Sequence, residues 1–114
     1  MIILELTVRP KPEKYLEFSQ SLESIKPGLE HCCTSLQITE QNNEFLILIR
    51  FDSATQLKTA LRSKKFGILS GAVKILAGKS DITIQGLENK NEWPELKSFL
   101  LNFQKTRDNI QIFN

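Results

Sequence analysis

Residues 44 to 73, EFLILIRFDSATQLKTALRSKKFGILSGAV, constrain the fold more tightly than any other part of the chain. Phe45, Ile47, Ile49 and Phe51 alternate with Leu46, Leu48 and Arg50. Both faces of this strand are therefore apolar until Arg50, the pattern of a strand that meets other protein on each side. Asp52 and Ser53 then open a helix, with Ser53 and Gln56 at the spacing of a capping box, and Ser63 is placed to cap a second helix. On that second helix Phe66, Leu69, Val73 and Leu76 fall on one apolar stripe.

The remaining elements follow from the same two periodicities. Ile2, Leu4, Leu6 and Val8 share one face of a first strand, with Ile3, Glu5, Thr7 and Arg9 on the other. Pro10 and Pro12 end it, and Tyr15, Phe18, Leu22 and Ile25 recur at helical spacing until Pro27 and Gly28 stop the run. His31 to Thr39 reads as a weaker strand with Cys32, Leu36 and Ile38 on one side, and Gln41 to Asn43 supply the turn of a hairpin. The paired helices end near Gly78, and Asp81 to Leu87 alternates again around Ile82 and Ile84. The order is β-α-β-β-α-β, an α+β ferredoxin-like arrangement with a four-stranded antiparallel sheet and both helices on one face. Residues 1–88 hold this unit, and residues 89–114 form an extension. There Leu96, Phe99, Leu100 and Phe103 make a helical stripe that packs, with Trp93, on its own protomer or a partner, and Ile110 to Phe113 can add an edge strand. The open sheet face carries Ile3, Leu46 and Leu48, which predicts a homodimer closed sheet against sheet.

With 15 Lys and Arg against 13 Asp and Glu, the net charge of +2 implies neither a nucleic-acid nor a membrane partner. Arg62, Lys64 and Lys65 read as a solvated helix start, although an anion could bind at such a point. The opening MIILELTVRP lacks a charged leader and a long apolar run, which predicts a cytoplasmic protein. Cys32 and Cys33 are adjacent; on a strand they point to opposite faces, which favours two reduced thiols over a disulfide. With one further imidazole, His31, a zinc site cannot be assembled from Cys and His within one chain, and no metal site is expected.

Val8-Arg9-Pro10 followed by Phe18, Pro27-Gly28, and Ser63-Lys64-Lys65-Phe66 together resemble the antibiotic biosynthesis monooxygenase family of dimeric α+β barrel proteins, over about residues 1–88. In that family the Pro-Gly pair lies in the loop into strand two, and the last motif is of Ser-Pro-His-Phe type. The resemblance implies a ligand cavity between sheet and helices, and cofactor-independent oxygenation of aromatic polyketides to quinones. It would place Leu4, Leu6, Phe51, Phe66, Leu69, Ser70 and Val73 near the ligand. Such a lining suits a flat aromatic or isoprenoid-like molecule, and the same residues can instead fill the core. Two departures bear on activity. Phe51 and Lys65 stand where many relatives carry Trp and His. Leu4, Ala60 and Ser70 replace the Asn, Trp and His set of the haem-degrading branch, so haem cleavage is not implied.

Oxygenation without a cofactor needs a base to form the substrate anion and an apolar site that protects the intermediate from water. His31 is the one side chain whose ordinary pKa lies near neutrality, at the loop entering strand two, where an exposed, inert His is the commoner outcome. Arg50 could anchor an anionic ligand, pair with Glu5 on the adjacent strand or form a pair across the dimer interface, and Ser70 could offer its hydroxyl to a ligand or bond back to its own helix. Neither cysteine has a positive neighbour other than His31, so both read as packing residues rather than nucleophiles. Two functions stay open: a metal- and flavin-free monooxygenase acting on a small hydrophobic aromatic compound, and a non-catalytic dimeric ligand-binding or stress-response module.

Overall fold

The computed structural model describes residues 1–86 and 110–113. Strand β1 (Ile2–Pro10) is followed by a short 3-10 turn (Pro12–Lys14) and helix α1 (Tyr15–Glu30). The hairpin β2 (Ser35–Gln41) and β3 (Glu44–Phe51) comes next, then α2 (Ala54–Leu61), α3 (Lys64–Leu76), β4 (Ala77–Gln85) and β5 (Ile110–Phe113). The sheet order is β2-β3-β1-β4-β5. Its first four strands pair antiparallel in the expected ferredoxin-like order, and β5 joins the free edge of β4 in parallel. The tail strand expected at Ile110 to Phe113 is therefore present; the helical stripe of Leu96 to Phe103 lies outside the described residues. No described helix is long and apolar enough to cross a membrane.

Strand alternation builds the core. Ile2, Leu4, Leu6 and Val8 of β1 face the helices together with Phe45, Ile47, Ile49 and Phe51 of β3 and Ile82 and Ile84 of β4, all buried. The helices answer with Phe18, Leu22, Ile25 and Leu29 of α1 and Phe66, Leu69, Val73 and Leu76 of α3. On β3 burial is complete on one face only, since Leu46, Leu48 and Arg50 are half-buried on the face away from the helices.

Three boundaries differ from the sequence reading. Helix α1 runs through Pro27 to Glu30. Proline costs the helix one hydrogen bond, but stopping there would leave out Leu29, which continues the buried stripe and is fully buried. Gly28 inside this last turn has a different use: a Cβ there would lie 2.6–2.8 Å from the side-chain carbons of Lys65, so the missing side chain leaves room for the Lys65 stem to lie over α1. Strand β2 starts at Ser35 rather than His31, because residues 31–34 form the turn that leaves α1. Strand β4 begins at Ala77, directly after α3 and four residues before the expected start at Asp81.

The capping expectations hold. Ser63 Oγ accepts from the Phe66 amide at 3.3 Å and Ser53 Oγ from the Gln56 amide at 3.1 Å. Gln56 closes the box one residue early, its Oε1 accepting from the Asp52 amide at 2.6 Å rather than from the cap residue. Ser53→Ala should lower the free energy of unfolding by about 1 kcal/mol, read from the midpoint of urea unfolding at constant slope.

Candidate functional site

The hairpin turn shapes a concave region on the surface near β1. Asn42 and Asn43 take φ of 55° and 64°, left-handed values that asparagine tolerates, and they close β2 onto β3 with two residues. This turn stands beside the exit of β1, where Pro10 and Pro12 hold the backbone. Arg9, Pro10, Pro12, Tyr15, Asn42 and Asn43 line a cleft of about 450 Å³ there. A neighbouring cleft of about 360 Å³ on the open sheet face shares Arg9 and Asn42 and adds Glu5, Thr7, Glu44 and Leu46. Arg9, which lines both clefts, forms an exposed ion pair with Glu44 at 3.4 Å.

Tyr15 is the aromatic wall of the larger cleft. Its ring stacks on Phe45 with centroids 5.3 Å apart, and Phe45 in turn meets Phe18 at 5.3 Å. The phenol hydroxyl donates to the Glu40 carboxylate; that bond, partial burial and the negative charge of Glu40 push its pKa up to about 12. Tyr15 is the only tyrosine of the chain, so an absorbance titration of the phenolate reports this residue alone. Its midpoint should lie near pH 12 rather than 10, and Glu40→Gln should bring it back toward 10. The neutral phenol is the favoured form, so this contribution to stability is complete below pH 10 and fades as pH rises from 10 to 12.

The residues expected to line a ligand cavity lie together between sheet and helices. Leu4, Leu6, Phe51, Phe66, Leu69 and Val73 are all at most 2% exposed. Phe51 and Phe66 meet with ring centroids 6.4 Å apart and tilted by 46°. Ser70 is the polar member of the set, and its hydroxyl donates to the Gly67 carbonyl of its own helix at 3.0 Å. Of the residues proposed for chemistry, His31 caps the C-terminus of α1 and is exposed. Arg50 lies on the open sheet face, where its guanidinium donates to Ser35 Oγ at 3.4 Å. The expected partner Glu5 stands opposite Leu48 and Thr83, whereas Arg50 stands opposite Ile3 and Ser35; the register sets the two side chains two residues apart. The structure thus brings the apolar candidates together and leaves His31 and Arg50 outside that group.

The Tyr15 cluster was missed by sequence reasoning. The two prolines and the paired asparagines signal a chain exit and a tight turn, but that Glu40 reaches Tyr15 follows only from the hairpin register. Among the described residues no group of three or more His, Cys, Asp or Glu side chains could hold a metal ion.

No protein-family model and no curated protein matches the chain. Solved structures match its fold. An antibiotic biosynthesis monooxygenase is similar over 78% of this chain and 100% of its own, with a TM-score of 0.69 and 9% identity. Rv0793 from Mycobacterium tuberculosis matches over 78% of this chain and 96% of its own, at TM-score 0.70 and 15% identity. MupZ from Pseudomonas fluorescens matches over 99% of this chain and 88% of its own, at TM-score 0.71 and 14% identity. The chain therefore has the fold of the antibiotic biosynthesis monooxygenases.

Proposed function

We propose that the chain is a small oxidoreductase of the antibiotic biosynthesis monooxygenase type, acting as a homodimer on a small hydrophobic aromatic compound without metal or flavin. The observation that carries this reading is the shared fold, matched over 78% of the chain by a structure of that name. The ligand space is the apolar layer bounded by Leu4, Leu6, Phe51, Phe66, Leu69, Ser70 and Val73, and a flat molecule enters it by displacing the Phe51 and Phe66 rings. In the reaction the substrate gives up a proton to solvent, its carbanion passes an electron to oxygen, the two radicals combine, and the hydroperoxide so formed loses water. One oxygen atom ends as a carbonyl on the ring and the other leaves as water, so the substrate supplies every electron. Dimerisation uses the open sheet face, where Ile3, Leu46 and Leu48 are half-buried within a single protomer.

One observation favours a second reading, a non-catalytic dimeric binding module: none of the seven lining residues is titratable, and the Ser70 hydroxyl is taken up by Gly67. Native mass spectrometry of the protein purified from cells tests both. A dimer carrying an aromatic or lipid-like molecule supports the ligand space, and a dimer that also consumes oxygen with that molecule supports the enzyme. A monomer at micromolar concentration overturns the dimer, and a dimer that holds the molecule without turnover favours the binding module.

A further inference from the structure

The turn between α1 and β2 reverses the relationship of the two cysteines. On a strand, Cys32 and Cys33 would project to opposite faces; in residues 31–34 both instead bend back to the end of the same helix. Cys32 Sγ donates to the Gly28 carbonyl at 3.3 Å, and Cys33 Sγ donates to the next carbonyl along, Leu29, also at 3.3 Å. Both thiols are thus held by consecutive carbonyls at the end of one helix. Both are free and half-buried, so each is reachable from solvent.

We propose that Cys32 and Cys33 form a bidentate dithiol site for a monosubstituted trivalent arsenical, a soft electrophile that needs two sulfur ligands and no third side chain. A zinc-type site needs three or four protein ligands, and no such cluster exists among the described residues. An arsenic atom that already carries one carbon substituent is completed by two thiolates.

The exchange balances without an oxidant. With phenylarsine oxide, two As–S bonds replace the As–O bond, the two S–H protons leave with the oxygen as water, and arsenic stays trivalent. The arsenic-bound oxygen accepts the protons, so the reaction does not depend on a preformed thiolate. This matters because burial, with the neighbouring Cys32, pushes the Cys33 thiol above its ordinary pKa, which slows reagents that require the anion. Once one sulfur is bound, the second bond closes within the molecule at a high effective concentration.

The test is intact-protein mass spectrometry of the folded full chain with phenylarsine oxide, followed by challenge with excess monothiol and then with a dithiol. The wild-type protein should hold one phenylarsenic group per chain against 2-mercaptoethanol and release it to dimercaptopropanol. Cys32→Ser and Cys33→Ser keep a hydroxyl able to donate to the same carbonyls. Each should still label but lose the group to monothiol roughly 100-fold more readily. Absence of labelling in the folded protein, or equal retention by the wild type and either serine variant, overturns the proposal.

Discussion

Phe51→Ala should lower the free energy of unfolding by about 3–5 kcal/mol, the usual cost of removing a fully buried phenylalanine. Phe51 is 0% exposed and closes the layer against Phe66 at the end of β3. The surrounding residues come from β1, β3 and α3, which are pinned by the sheet register and the α1–α3 packing, so the site collapses little when the ring is removed. Against a typical total of about 5–15 kcal/mol, the variant should be unfolded in part at room temperature. Urea unfolding of the wild type and the variant, with unchanged slope, measures the difference. A loss below about 1 kcal/mol would contradict the packing of the Phe51 ring against Phe66.

Leu48→Glu should leave the protomer almost as stable as before and weaken the proposed sheet-to-sheet dimer by at least about 2 kcal/mol, roughly 30-fold in dissociation constant. Leu48 points away from the helices, opposite Glu5 on β1 and Gln37 on β2. In a lone protomer a half-exposed glutamate is well hydrated there. In a sheet-to-sheet dimer it becomes a buried charge beside the carboxylate of Glu5, and neither the charge nor the repulsion is compensated. Sedimentation equilibrium across a concentration series reads the shift. If the protein remains dimeric with an unchanged constant, the open sheet face is not the interface.

The sequence carried the fold wherever burial is one-sided and periodic. The alternation of β1 and β3, the α3 stripe and the two serine caps are local patterns, and each is found where its period places it. Boundaries failed where a local rule was overruled by packing. Pro27 and Gly28 look like a helix stop, yet Leu29 continues the buried stripe and Gly28 leaves room for the Lys65 side chain. Cys32 looked like a strand residue, yet the thiols satisfy carbonyls at the end of α1. The Arg50 partner was misread because sheet neighbours depend on register, and register is not visible from one strand. For the candidate site, the apolar set from Leu4 to Val73 was legible because apolar residues on facing elements meet in a core. The link between Tyr15 and Glu40 was not, since it joins a helix start to a strand far along the chain. Activity is less legible still: a fold shared at 9–15% identity fixes the backbone and leaves the chemistry to individual side chains.

The central claim is oxygenation without a cofactor, and oxygen consumption tests it most directly. The purified protein, treated with a metal chelator, is mixed with a tricyclic hydroxyaromatic ketone while dissolved oxygen and quinone absorbance are followed together. The account predicts uptake of one oxygen molecule for each quinone formed, at a rate proportional to protein and above the rate in buffer. Oxygen uptake equal to the buffer control with substrates that demonstrably bind would contradict it and leave the chain a binding module on a monooxygenase fold.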